Sequence, residues 1–201
     1  MPEELVAEDI RTAQTLPSIF YHDKNIFQSL MSIFEGWQYG AHTSELDSTS
    51  IMPLEYIESI TGEPTILVKD EEVRCLSNIC THRGMHLQSH ACNKRALLCE
   101  YHGRTFSLDG KMKNMPEFEQ AIGFPSESDN LHQFETVYWK GMYFVNQRGN
   151  EELPWRKVGN RFDFLDIESY VHDPDRDRDH SIDANWMLYV DNYLEGFHIP
   201  F

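Results

Sequence analysis

The spacing of hydrophobic and polar positions changes twice along the chain, which predicts a helical beginning, a strand-rich middle and a helical end. Residues 2–14 and 23–35 show the three- and four-residue spacing of amphipathic helices, and Asp23 is a candidate N-cap for the second. Helical spacing returns at residues 185–198. Between them, short runs rich in β-branched and aromatic residues predict strands at 55–60, 65–69, 73–77, 96–99, 105–108 and 134–146.

Turn-forming residues separate these predicted strands. The segments 61–64 and 108–110 combine glycine with proline or aspartate and are typical of hairpin turns. A charged segment, residues 172–183, is interpreted either as a linker between domains or as a solvated turn and strand. The pattern as a whole predicts a mostly β fold of small antiparallel sheets, preceded by an N-terminal helical arm.

Composition narrows the range of partners and compartments. The chain has 201 residues, 40% of them hydrophobic, which is enough for a folded core. Its net charge of −16 argues against nucleic acid or an anionic membrane surface as a partner, and an acidic surface suits a basic redox partner. There is no cationic leader and no apolar run of roughly 20 residues, so we expect a soluble, cytoplasmic protein.

Two short motifs each place a cysteine beside a histidine. They are Cys80-Thr-His82 and Cys99-Glu-Tyr-His102, with sixteen residues between them. A Rieske-type [2Fe-2S] cluster needs two thiolates on one iron and two imidazoles on the other, which this pair of motifs can supply. The competing interpretation is a structural zinc site, but zinc sites usually leave two to four residues between paired ligands, and the first motif leaves one. His86, His90 and Cys92 fit neither motif and are interpreted as non-ligands.

The wider sequence resembles the Rieske domain of ring-hydroxylating and related non-haem iron oxygenases. The similarity rests on Cys-Thr-His-Arg-Gly, on Cys-Glu-Tyr-His-Gly and on residues 78–80, 108–110 and 139–146, and it covers roughly residues 25–201. Most members of that family have proline at the position of Glu100 and tryptophan at that of Arg104. These departures concern reduction potential and packing rather than ligation.

The resemblance implies a ligand set and a domain organisation. Cys80 and Cys99 are expected to bind one iron, and His82 and His102 the other. Residues 1–35 are expected to form the helical arm and 36–150 the Rieske domain. Residues 151–201 are expected to begin an α+β catalytic domain.

The predicted C-terminal helix carries a second set of candidate residues. Its apolar stripe, by itself, is typical of a core-facing helix, and Glu195 and His198 are neighbours on it at a spacing of three. The resemblance implies more: His198 matches the first ligand of a mononuclear iron site of two histidines and one carboxylate. Glu195 matches a bridge to a cluster histidine of the neighbouring subunit, and Asn192 an asparagine near the iron. The remaining two ligands are expected beyond Phe201.

By this resemblance the chain is the N-terminal part of an oxygenase α subunit. An NAD(P)H-dependent reductase or a ferredoxin would reduce the cluster, and the cluster would reduce a mononuclear Fe(II) that activates O2 to hydroxylate an aromatic or quaternary-amine substrate. Subunits are expected to form a homotrimer. Two alternatives stay open from the residues alone: a stand-alone Rieske ferredoxin that only carries electrons, and a zinc-stabilised binding module.

Overall fold

The structure is a computed structural model, and it describes residues 7–149, 152–153, 159–194, 196 and 199. The chain divides into two compact units. One unit is Phe34–Asp175, and the other combines Met1–Ile33 with Arg176–Phe201. The boundaries predicted at residues 35 and 150 remain predictions. Within the described residues, every helix is too short or too polar to cross a lipid bilayer.

The larger unit contains two antiparallel sheets, which agrees with the predicted mostly β fold. The described strands are β1 (Trp37–His42), β2 (Ile51–Pro53), β3 (Thr65–Lys69), β4 (Val73–Ser77), β5 (Leu97–Leu98), β6 (Thr105–Phe106), β7 (Met112–Asn114), β8 (Gln133–Trp139) and β9 (Met142–Asn146). Six of them form one sheet in the order β1-β9-β8-β4-β3-β2, and β5-β6-β7 form the other. The smaller sheet carries one of the two cysteine–histidine motifs between its first two strands.

Several predicted strands have the expected bounds, and others differ. β3 and β4 coincide with the predictions, whereas β5 and β6 are shorter than predicted. The run 134–146 is a hairpin rather than a single strand. Its turn residues Lys140 and Gly141 have φ of 47° and 83°, the positive values that a tight type I′ turn requires.

The strand predicted at residues 55–60 is wrong, because this segment forms helix α3 (Glu55–Thr61). Ile57 is 1% exposed and packs in the core beside Leu54, while its neighbours in sequence face outward. Glu55 and Glu58 lie in the first turn, where carboxylates interact favourably with the helix dipole. Gly62 ends the helix at φ 75°, with its N–H donating to the Glu58 carbonyl at 2.8 Å.

The N-terminal helices are shorter than the spacing predicted. Helices α1 (Ile19–His22) and α2 (Lys24–Met31) are followed by a 3-10 turn, and Asp23 caps α2 as predicted, accepting from the N–H of Asn25 at 2.9 Å. In the predicted helix 2–14, the described part contains only a 3-10 turn, Ile10–Thr12. The Asp9 carboxylate accepts from the Arg11 N–H at 2.9 Å and the Thr12 hydroxyl donates to the Asp9 carbonyl at 2.9 Å, and such local side-chain bonds compete with a continuing helix.

Helix α4 (Trp186–Leu194) confirms the helical spacing near the C-terminus and packs on α1. The Tyr21 hydroxyl donates to Asp191, and the Asn185 amide donates to the Tyr21 carbonyl at 3.0 Å. The apolar stripe is not buried in the described residues, since Tyr193 is 79% exposed. The charged segment 172–183 is exposed and contains a 3-10 turn but no strand.

Two hydrophobic cores stabilise the larger unit, and one of them includes both motif cysteines. The core on the α3 side consists of Ala41, Leu46, Leu54, Ile57, Leu67, Cys75, Phe134 and Val145. The other core consists of Ile51, Ile66, Val68, Leu76, Cys80, Leu87, Leu97, Cys99, Phe106, Leu108, Met112, Met115 and Leu131. The motif cysteines are therefore part of a well-packed hydrophobic core.

Candidate iron-sulfur site

The two motifs form two loops, residues 80–85 and 99–104, with the same backbone hydrogen bonds. In each loop the cysteine N–H donates to the carbonyl five residues later, which is that of Met85 or Arg104, at 2.8 Å. In each loop the glycine four residues after the cysteine donates back to the cysteine carbonyl, at 3.0 and 2.9 Å. These loops, called the first and second ligand loops below, therefore present cysteine and histidine in matching ways.

The thiols and imidazoles of the ligand loops lie in two different environments. Cys80 and Cys99 are each 2% exposed, and both belong to the same hydrophobic core. His82 is half-buried and His102 exposed, and their ring centroids are 4.8 Å apart. The site thus has a buried pair of thiols and an outward pair of imidazoles, as a [2Fe-2S] cluster with two different irons requires.

The surroundings of the site shift two pKa values. Burial, followed by the neighbouring Cys99, raises the pKa of the Cys80 thiol. Burial lowers the pKa of His82, and the charges of His102, Arg104 and Arg83 lower it further. His82 is therefore favoured as a neutral imidazole that can bind a metal, while the thiols are expected to release their protons as iron binds.

The ligand types at this site can be compared with the needs of a single zinc ion and of a binuclear cluster. A structural zinc site requires its four ligands to converge tetrahedrally on one ion. Among the described residues, no group of three or more His, Cys, Asp or Glu side chains is placed to hold one ion. The buried thiol pair and the outward imidazole pair supply the two kinds of ligand that a cluster of two different irons needs, so such a cluster fits these residues.

The candidate residues outside the motifs have structural roles. His86 lies 3.2 Å from the Asn78 amide and 3.5 Å from the Glu58 carboxylate, and its interpretation as a non-ligand stays a prediction. Cys92 is half-buried against the core and is tied to Ile51 through its backbone. His90 is exposed and stays a predicted non-ligand.

Asn78 is a supporting residue whose role was not predicted from the sequence. Its buried amide donates to the Gln88 carbonyl at 2.7 Å and accepts from the Gln88 N–H at 3.0 Å. These bonds fix the chain that leaves the first ligand loop. The only signal in the sequence is a polar residue at the end of the buried strand β4.

Replacing either loop glycine by alanine tests how tightly the loops are packed. Gly84 and Gly103 have φ of 68° and 72°, where an alanine costs about 1–2 kcal/mol. A Cβ on Gly84 would enter open space, whereas a Cβ on Gly103 would lie 2.9 Å from Pro116 Cγ. We expect Gly103→Ala to lose about 1–3 kcal/mol more stability than Gly84→Ala in urea unfolding, because of that clash. Equal losses would show that Pro116 moves freely.

The C-terminal candidates can be placed only in part. Asn192 lies on α4 with its side chain exposed. Glu195 and His198 lie outside the described residues. Their roles at a mononuclear iron therefore remain predictions.

Comparison with known proteins identifies the domain. The family model of the Rieske [2Fe-2S] domain matches residues 36–135. The carnitine monooxygenase oxygenase subunit of Escherichia coli (strain K12) is 31% identical over 98% of this chain and 54% of its own length. The chloroplastic choline monooxygenase of Amaranthus tricolor is 25% identical, over 93% of this chain and 44% of its own length. The chain spans about half the length of the curated relatives it matches.

Solved structures agree with these relatives. The quaternary ammonium Rieske monooxygenase CntA in complex with L-carnitine superposes with a TM-score of 0.75 at 25% identity, covering 92% of this chain and 54% of CntA. Naphthalene 1,2-dioxygenase from Rhodococcus sp., bound to indole, gives a TM-score of 0.64 at 26% identity. This match covers 76% of this chain and 36% of the dioxygenase chain. With the paired ligand loops, these similarities show that the chain carries a Rieske [2Fe-2S] domain and belongs to the family of Rieske oxygenase α subunits.

Proposed function

We propose that this chain is the N-terminal part of an oxygenase α subunit that hydroxylates a quaternary amine. The observation that carries the proposal is the buried thiol pair beside an outward imidazole pair, which is built to hold a redox cluster. The substrate class follows from the relatives, which are named carnitine or choline monooxygenases. We expect carnitine or choline to be turned over in preference to aromatic rings.

The site suits electron transfer through its histidine side. Cys80 and Cys99 would hold the cluster against the core, and His82 and His102 would bind its outer iron. When bound, the cluster supplies one-electron redox chemistry. An NAD(P)H-dependent reductase or a ferredoxin would approach this side, because the imidazoles are the more exposed of the four candidate ligands.

Electron transfer from the cluster to the mononuclear iron would run through the C-terminal helix. We propose that Glu195 links the cluster of one subunit to His198 and the mononuclear Fe(II) of another, with Asn192 nearby, in a homotrimer that activates O2. A structure of a related quaternary ammonium Rieske monooxygenase has been described in terms of inter-subunit electron transfer. We place the protein in the cytoplasm, which agrees with its four unpaired cysteines.

The first test is spectroscopic. The purified chain is reduced with dithionite and its EPR spectrum recorded, with iron and acid-labile sulfide measured on the same sample. We expect a rhombic signal with an average g below the free-electron value and two irons per chain. Zinc in place of iron, with no signal, would contradict the proposal and favour a metal-stabilised binding domain.

The alternative function is a stand-alone electron carrier, because the unit Phe34–Asp175 already contains both ligand loops. The coding sequence after Phe201 separates the two functions. An oxygenase is expected to continue with a histidine about five residues after His198 and a later carboxylate. The extended chain, with its reductase, would then consume O2 with L-carnitine or choline but not with naphthalene. A stop codon after Phe201 and rapid reduction by the reductase would favour the carrier.

A further inference from the structure

Arg104, the last residue of the second ligand loop, is a buried cation at a position where the family usually has tryptophan. The residue is 4% exposed. Its Nη1 donates to Thr81 Oγ1 at 2.7 Å, and its Nη2 donates to Asp129 Oδ1 at 3.1 Å. Its guanidinium carbon lies 5.4 Å from the ring centroid of Phe124. A charge in this position therefore has partners in three separate segments of the chain.

The three polar residues form a closed ring of hydrogen bonds. Thr81, which lies between Cys80 and His82, also donates from its hydroxyl to the Asp129 carbonyl at 2.7 Å. Asp129 is oriented in turn by Ser126, whose N–H and hydroxyl both donate to Oδ2 at 2.8 Å. Arg104 thus ties the first ligand loop to the second through Asp129.

Stability alone is a poor explanation for this buried ion pair. Removing two charges from water costs about as much free energy as their attraction returns, and apolar side chains of similar volume often serve equally well. The Nε–H of Arg104 is also buried without a hydrogen-bond partner among the described residues, which costs further free energy. Because burying this arginine costs free energy, its charge is inferred to have a role other than stability.

The charge lies beside the ligand residues of both loops. The Arg104 carbonyl accepts from the Cys99 N–H at 2.8 Å, and the Arg104 Nη1 donates to Thr81, the residue between Cys80 and His82. Arginine is the fixed cation among the side chains, so its charge is a constant feature of this site. A cluster that gains an electron becomes more negative, and a nearby fixed cation stabilises that state.

We propose that Arg104 is a positioning and charge-tuning residue of the cluster site. Held by Thr81 and Asp129, its fixed charge raises the reduction potential of the cluster, and its forked hydrogen bonds hold the two ligand loops together. Neither effect requires contact with the substrate. With arginine at this position, the cluster would be more easily reduced than with a neutral side chain such as tryptophan.

The test compares Arg104→Gln with Arg104→Lys in the cluster-loaded chain. Reduction potential is measured by redox titration followed by EPR, and iron content by chemical analysis. We expect Arg104→Gln to lower the equilibrium constant for reduction by about tenfold, equivalent to ~59 mV for one electron. Arg104→Lys retains most of the potential, because it keeps the charge, but it loses the fork and retains less iron on heating.

Two variants at the partners separate charge from structure. Thr81→Val removes a hydrogen bond but no charge. The reduction potential of its cluster is therefore expected to match that of the unsubstituted chain. Asp129→Asn removes the compensating negative charge while keeping an amide oxygen, so its potential is expected to rise. If Arg104→Gln does not retain the cluster, these two variants still show whether the charge at this site sets the reduction potential.

The proposal is overturned by any of three results. One is an unchanged potential in Arg104→Gln. Another is an equal fall in Arg104→Gln, Arg104→Lys and Thr81→Val, which a purely structural role would produce. The third is a potential of Asp129→Asn at or below that of the unsubstituted chain.

Discussion

Replacing Cys99 by serine is expected to abolish cluster binding, with iron and acid-labile sulfide falling from two per chain to near zero. The serine hydroxyl does not ionise at working pH and is a poor ligand for iron, which in this cluster type is held by thiolates. The side chain is buried beside Cys80 in the core, so no exposed group can replace it. The reduced sample is expected to show no rhombic EPR signal.

Cys92→Ser is the matched control for this prediction. Cys92 is half-buried against the same core but is held through its backbone to Ile51. We expect this variant to retain both irons and the EPR signal. Loss of iron in Cys92→Ser to the extent seen in Cys99→Ser would mean that the cluster ligands are wrongly assigned.

Phe106→Ala is expected to lose about 3–5 kcal/mol of the free energy of unfolding, because it leaves a large cavity in the core. Phe106 lies on β6, is 0% exposed and packs in the core that includes Cys80 and Cys99. The variant is therefore also expected to release iron at a lower temperature. Urea unfolding gives the stability, and loss of visible absorbance on heating gives the release of iron.

Phe164→Ala makes the same chemical change at an exposed position of the same unit. Phe164 is 80% exposed, so its truncation is expected to change stability by no more than about 0.5 kcal/mol. A loss in Phe164→Ala comparable with that in Phe106→Ala would show that the core beneath the ligand loops is not where the stability resides.

The sequence by itself predicted the four candidate cluster ligands and determined several regular elements, because both depend on short-range spacing. Cysteine and histidine two or three residues apart can share a loop, and that property needs no knowledge of distant residues. The β-rich runs of β3 and β4 and the Asp23 cap of α2 are local in the same sense, and the structure confirms them. The family resemblance added the expected identity of the ligated group.

Only the tertiary structure decided the remaining features, because they depend on segments far apart in the chain. Residues 55–60 are apolar enough for a strand, but they form a helix because Ile57 packs into a core supplied by other elements. The burial of Arg104 follows from Thr81 and Asp129, which are 23 and 25 residues away and are brought together by the packed loops. Local spacing predicts which residues bind the cluster, whereas long-range packing decides which charge lies beside those residues.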